Sequence, residues 1–167
     1  MQTRTKLILC NILTVILFLL PVIELDLFKE NYSTLSLQTR GYLFLLFLGI
    51  LTGSVMAYET FHISGRKNAR ILLMAMILGT IVPHHVPYDL QGNIHLFLAY
   101  VSFFVLICIT YFNTMFSTKM RYRNIMIFCL LSVSLLYMRY MMINTLCEII
   151  IMLCCMGIDL SLYLKQK

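Results

Sequence analysis

Charged residues are scarce in this chain. Only 12% of its 167 residues are charged, whereas a soluble domain carries about a quarter. Apolar runs long enough to cross a bilayer recur along the whole length. The longest polar stretch, Asp26 to Arg40, is too short for a hydrophobic core of its own. These absences exclude a soluble domain and predict an all-α polytopic membrane protein.

The N-terminal segment lacks the small residues that a signal-peptide cleavage site requires. Met1–Lys6 is basic and Leu7–Ile23 is apolar, as in a signal peptide, but the segment ends in PVIELDLFKE. The first apolar run is therefore predicted to remain as an uncleaved membrane span.

Cysteines are absent from the predicted outer loops. All six lie inside apolar runs, which argues against a disulfide framework. They are predicted to act as small apolar side chains.

Six transmembrane helices are predicted, and short connections place neighbouring helices antiparallel in one compact bundle. The spans cover about residues 7–25, 42–61, 69–86, 94–112, 125–140 and 145–164. The third and fifth spans are short, but arginines at their ends can reach the interface, so short cores are tolerable.

The distribution of Lys and Arg predicts the orientation. With the N-terminus inside, cytoplasmic segments hold 10 of these residues and outer segments hold 3, together the 13 of the chain. The outer three are Lys29, Arg40 and Arg139. The positive-inside rule then puts both termini in the cytoplasm of a plasma-membrane protein. Because no basic stripe lies on a soluble face, the formal charge of +6 predicts no nucleic-acid partner.

Small residues recur every four positions in the second span, at Gly49, Gly53 and Ala57. This spacing lets helix backbones approach closely. It predicts packing within the bundle or against a second copy of the chain.

Polar residues concentrate near the outer ends of the later spans. This group comprises His84, His85, Tyr88, Asp89, His95, Arg139, Asn144 and Glu148. Ionisable groups inside a membrane require partners, and the expected ion pair joins Arg139 to Glu148 across the last turn. We expect the group to form an outward-facing site.

A second polar group, Glu59, His62 and Asp159, lies near the predicted inner surface. Glu59 and His62 are three residues apart, and are therefore neighbours on one helix face. Glu148 and Asp159 share a face of the sixth span but lie about 16 Å apart along its axis, from the rise per residue. They cannot act as one carboxylate pair.

Three interpretations of the outer group remain open. His84 and His95 could hold a divalent metal with Asp89 or Glu148. The histidines, Tyr88 and Arg139 could instead bind an anionic lipid headgroup without metal. The histidines could also only cap helices beside the prolines.

The leading hypothesis is a non-catalytic protein that binds membrane lipids or a partner. The alternative is an intramembrane enzyme for lipid-linked substrates, with His95 or Glu148 as general acid or base. A small transporter is the third hypothesis, because Glu148 and Asp159 could mark the ends of a pathway.

The segment Gly79-Thr80-Ile81-Val82-Pro83 ends the predicted third span, and His95 followed by Ala99 opens the fourth. In these features the chain resembles the DRAM-like six-helix membrane family over Tyr42 to Phe112. The first outer loop of this chain lacks the acidic, glycine-containing pattern expected in that family. The resemblance implies a role around membrane lipids or lipid anchors, without a settled shared catalysis.

Overall fold

A computed structural model describes residues 2–23, 25–37, 39–83, 90–117, 119–141 and 143–165. Within these ranges the chain forms six α-helices and two short 3-10 helices, with no strand. The α-helices are α1 Gln2–Leu19, α2 Thr39–Ser64, α3 Arg66–Ile81, α4 Leu90–Met115, α5 Arg121–Tyr140 and α6 Thr145–Lys165. The 3-10 helices are Leu20–Ile23 and Tyr32–Leu37.

Each predicted span overlaps one α-helix, and the all-α class is confirmed. Two residues with positive φ separate consecutive helices. Gly65 has φ 97° between α2 and α3, a conformation that glycine adopts without steric cost. Met141 has φ 56° after α5, and its backbone N–H donates to the Tyr137 carbonyl at 2.6 Å. This left-handed residue ends α5.

Four segments among the described residues are long and apolar enough to cross a membrane. They are Thr3–Ile23, Arg40–Ser64, Leu90–Met115 and Thr145–Lys165. α3 has 16 residues and is therefore about 24 Å long, below the roughly 30 Å of a hydrocarbon core. α5 has 20 residues, but three of them are arginines. The structure therefore supports a membrane protein with four candidate spans and two less apolar helices.

α6 occupies the centre of the bundle, in contact with α1, α2, α4 and α5. α3 lies between α2 and α4 and packs on both. Glycines allow these close contacts. A Cβ at Gly49 would lie 2.6 Å from Thr80 Cγ2, and one at Gly53 would lie 2.9 Å from Met76 Cβ. The face predicted to favour close packing is therefore used against α3 within the chain, and Ala57 is buried.

The loop between α1 and α2 docks on the first turn of α6. The Thr145 N–H donates to the Glu30 carbonyl at 2.7 Å, and the Leu146 N–H donates to the Leu27 carbonyl at 3.1 Å. Asn144 caps the helix by accepting the Cys147 N–H at 3.0 Å. These bonds satisfy amides that a helix start leaves open. They hold the Tyr32–Leu37 helix over one end of the bundle, called here the His95 end.

Candidate functional site

A cavity of about 90 Å³ lies at the His95 end, below the Tyr32–Leu37 helix and between α2, α3, α4 and α6. Its walls are mainly apolar, and its polar side chains lie on several elements. The apolar lining includes Phe18, Leu45, Leu48, Met76, Ala99, Phe103 and Met152. The polar lining consists of Tyr32, Ser33, Tyr42, Thr52, Thr80, His95, Ser102 and Glu148. The cavity thus combines several polar side chains with mainly apolar walls, a composition that is common in ligand-binding sites.

His95 is buried in the first turns of α4, and both ring nitrogens are engaged. Nδ1 lies 2.5 Å from the Val82 carbonyl oxygen, which can only accept a hydrogen bond. Nδ1 must therefore carry the proton. Nε2 lies 2.8 Å from Ser33 Oγ, and in a neutral ring it accepts the serine proton. The geometry orients the imidazole and leaves Nε2 as a base toward Ser33.

Glu148 is buried one turn into α6, with 7% of the residue exposed. Its Oε2 accepts the backbone N–H of Tyr32 at 2.8 Å. The Tyr32 ring stacks on Phe18 at 4.5 Å between centroids, and its hydroxyl donates to the Phe18 carbonyl. Burial raises the pKa of the Tyr32 phenol above its ordinary value, so the hydroxyl stays protonated as this donor. Glu148 and Phe18 thus fix the 3-10 helix that carries Ser33.

Thr52 supplies a further polar group to the cavity wall. Its residue is 1% exposed, and its Oγ1 has no hydrogen-bond partner within the described part of the chain. A buried hydroxyl without a partner costs about 1–3 kcal/mol. The Thr52 hydroxyl is therefore suited to form a hydrogen bond with a polar atom of a ligand in the cavity.

A second polar cluster lies farther along the bundle, around Asp159. Asp159 accepts the Asn113 Nδ2 donor at 3.0 Å and the Thr110 hydroxyl at 3.2 Å. Asn113 also donates to Thr60 Oγ1 at 3.1 Å and accepts the Ser64 hydroxyl at 2.6 Å. This network joins α2, α4 and α6.

Glu59 belongs to the same region and pairs with a residue of α1. Asn11 Nδ2 donates to Glu59 Oε1 at 2.7 Å and to the Leu7 carbonyl at 3.1 Å. His62 lies apart from these buried groups. It is exposed, its Nδ1 is 2.8 Å from the Tyr58 carbonyl, and its ring contacts Tyr58, Phe61 and Tyr163. The three predicted inner residues thus separate into two buried acids and one surface histidine.

The expected ion pair between Arg139 and Glu148 is not formed. The ion pair found within the described residues joins Lys29 to Asp26. Arg139 is exposed in the last turn of α5, whereas Glu148 points into the bundle and binds the Tyr32 amide. The prediction paired opposite charges on the two sides of one turn, whereas the Glu148 carboxylate accepts a backbone N–H from the distant loop that carries Tyr32.

The other predicted outer residues have different positions. Asn144 is fully buried as the cap of α6, and its Nδ2 donates to the Phe28 carbonyl at 3.3 Å. His84, His85, Tyr88 and Asp89 lie outside the described residues. The described part of the chain contains no group of three His, Cys, Asp or Glu side chains that could hold a metal. Of the predicted outer residues, the structure brings His95 and Glu148 to one cavity.

Sequence reasoning missed Tyr32, Ser33, Thr52 and Asn11 as members of these two clusters. Tyr32 and Ser33 lie in a loop, where no periodicity predicts which helix a side chain will contact. Asn11 had a detectable signal, because it is a lone amide within the first apolar run.

No family model, curated protein or solved structure matches this chain. The resemblance to the DRAM-like family therefore stays a prediction. The cavity and the chemistry of its lining are the observations that bear on function.

Proposed function

We propose that the chain is a plasma-membrane protein with six spans and both termini in the cytoplasm. The support is the distribution of 10 inner and 3 outer Lys and Arg residues. The two less apolar helices, α3 and α5, pack against the longer helices of the same bundle.

Cysteine accessibility tests this topology. In a cysteine-free background, a membrane-impermeant maleimide applied to intact cells should label Lys29→Cys and leave Lys67→Cys unlabelled until the cells are opened. Both lysines are exposed in the structure. Labelling of position 67 in intact cells would contradict the proposed orientation.

The function that the cavity supports best is non-catalytic binding of an amphipathic lipid. The observation that carries it is that the polar side chains of His95, Ser33 and Thr52 lie beside apolar walls in one partly open cavity. A cavity of this volume holds a small group, since about 150 Å³ accommodates a benzene ring. It would accept the junction between a lipid's polar head and its chain, with the rest of the lipid outside.

The bound group is expected to be uncharged. The described lining contains no Lys or Arg, and phosphate recognition generally relies on such cations. Ser33, Thr52 and His95 are suited to ester or hydroxyl oxygens. A neutral glycerolipid thus fits the cavity chemistry better than an anionic headgroup.

Photolabelling of the purified protein tests lipid binding. A diazirine-bearing monoacylglycerol should label the wild type. Ala99→Leu, which places a larger side chain into the cavity, should lower labelling about tenfold at a subsaturating probe concentration. Val101→Leu is the control, because Val101 is exposed on the same helix.

A lysophosphatidic acid probe of equal chain length should label less than the monoacylglycerol. Equal labelling of Ala99→Leu and the wild type would contradict binding in this cavity. Stronger labelling by the phosphate probe would contradict the preference for an uncharged group.

The Ser33–His95 contact favours a second candidate function, hydrolysis of a lipid ester. Its 2.8 Å separation lies in the range of a nucleophile and its base, and the Val82 carbonyl orients the ring. Ser33 Oγ would attack the ester carbonyl while His95 Nε2 takes its proton. That proton would pass to the departing alcohol, and water activated by His95 would release the fatty acid.

Product analysis after the same incubation separates the two candidates. Recovery of intact monoacylglycerol supports binding alone. Release of glycerol and fatty acid that survives in Ser102→Ala but is abolished in Ser33→Ala supports hydrolysis. Ser102 is the matched control because it lines the same cavity without contacting His95 through a hydrogen bond in the described structure.

A further inference from the structure

The amide and carboxyl groups of Asn11 and Glu59 face each other between α1 and α2. One pair of their atoms is joined, with Asn11 Nδ2 donating to Glu59 Oε1 at 2.7 Å. The other two atoms, Asn11 Oδ1 and Glu59 Oε2, are buried and have no partner in the part of the chain that is described. Two buried oxygens without donors remain within one side-chain pair.

Exchange of the Asn11 amide oxygen and nitrogen does not remove this deficit. Nδ2 contacts two acceptors, the Glu59 carboxyl oxygen and the Leu7 carbonyl. Neither can donate a hydrogen bond unless the carboxyl group is protonated. An oxygen in that place would face both acceptors, so the amide orientation is fixed by its partners.

Among the residues that the structure describes, no ion pair neutralises Glu59 or Asp159. Glu59 and Asp159 both have 0% of the residue exposed, and no described Lys, Arg or His forms an ion pair with either. The two acids are linked through neighbouring Thr60, which accepts from Asn113, the donor to Asp159. Two buried carboxyl groups in a membrane are costly unless positive charge accompanies them.

Glu59 and Asp159 differ in how many of their carboxyl oxygens accept a hydrogen bond. Each oxygen of Asp159 accepts a donor, one from Asn113 and one from Thr110. Glu59 has a donor on one oxygen only. The missing positive group therefore belongs at Glu59 Oε2, in the side-chain pair that also holds the unpartnered amide oxygen of Asn11.

We propose that Asn11 Oδ1 and Glu59 Oε2 together bind one monovalent cation, which is a proton or an alkali metal ion. A proton would bond to Oε2 and be donated to Oδ1, which completes a pair of two hydrogen bonds. An alkali ion would be coordinated by both oxygens, since hard cations prefer oxygen ligands. This site is separate from the cavity at the His95 end and does not depend on the proposed function.

Two measurements on the full-length protein in detergent distinguish the sources. Infrared spectroscopy in H₂O and D₂O reports a protonated carboxyl group by its carbonyl band. Thermal unfolding in NaCl, KCl and choline chloride at equal ionic strength reports an alkali ion. A bound ion should raise Tm by about 2–4 °C in a saturable way over choline.

Glu59→Gln is the decisive variant because its amide can donate to Asn11 Oδ1 and accept from Asn11 Nδ2. We expect it to fold and to lose the infrared band or the salt-dependent rise in Tm, whichever the wild type shows. Asp26→Asn is the control, since Asp26 lies in the exposed loop, and it should change neither signal. Asn11→Ala, which removes Oδ1, should shift the band or weaken the salt effect, and it serves as a second test if Glu59→Gln does not fold.

Two results would overturn the proposal. One is a wild-type protein with neither a protonated carboxyl band nor a specific sodium or potassium effect. The other is a signal that persists unchanged in Glu59→Gln and Asn11→Ala. If the infrared band or the salt effect on Tm persists in Glu59→Gln but is lost in Asp159→Asn or Glu148→Gln, the cation is bound by that other acid.

Discussion

Replacing Asn113 by leucine should lower the free energy of unfolding by about 2–5 kcal/mol. Asn113 makes three hydrogen bonds to other helices, with Thr60, Ser64 and Asp159. In membrane proteins such bonds contribute about 0.6 kcal/mol on average and up to about 1.7 kcal/mol. Leucine removes all three and leaves Asp159 with Thr110 as its remaining donor. Unfolding by SDS in mixed micelles measures the effect.

Asn124→Leu is the matched control for this substitution. Asn124 is exposed near the start of α5, so the same chemical change should alter stability by less than about 0.5 kcal/mol. If Asn113→Leu were as stable as Asn124→Leu, the buried network would make no net contribution to the fold.

Adding one methyl group to two helical glycines should change stability in opposite directions. A Cβ at Gly79 would lie 2.6 Å from Ser102 Cβ, whereas a Cβ at Gly157 would meet no atom of the described residues within 4 Å. Gly79→Ala forces α3 and α4 apart and should cost about 1–3 kcal/mol. Gly157→Ala only restricts the unfolded backbone and should add about 0.5–1 kcal/mol.

The two variants are measured in the same SDS unfolding assay and serve as each other's control. Because alanine has the higher helix propensity at both sites, a stabilised Gly79→Ala would show that α3 and α4 do not approach this closely. A clearly destabilised Gly157→Ala would show that this face of α6 is packed against another molecule.

The helices were predictable from the sequence because each of them contains one apolar run. The predicted spans 94–112 and 145–164 lie within α4 and α6, which begin at Leu90 and Thr145. Apolarity does not report where a helix stops, so α2 continues past residue 61 to Ser64, where Gly65 permits the positive φ. The predicted third span extends to residue 86, whereas α3 ends at Ile81.

The candidate site was predicted only in part. The predicted topology placed His95 and Glu148 in one polar group near the outer ends of the spans, and both line one cavity. Their partners are a loop serine and a loop amide, Ser33 and Tyr32, which lie 62 and 116 residues away in the chain. Helical periodicity carries no information about such contacts, so charge matching pointed to Arg139 instead.

The docking of the first loop on α6 has a consequence for biogenesis. The hydrogen bond from the Thr145 N–H to the Glu30 carbonyl, and the one from the Tyr32 N–H to the Glu148 carboxylate, can form only after α6 has been synthesised and inserted. Because a chain emerges from the ribosome N-terminal end first, α1, α2 and the loop between them are synthesised before these hydrogen bonds can form. The Tyr32–Leu37 helix is therefore fixed over the cavity only once α6 is in place, and a nascent chain has no finished cavity before that step.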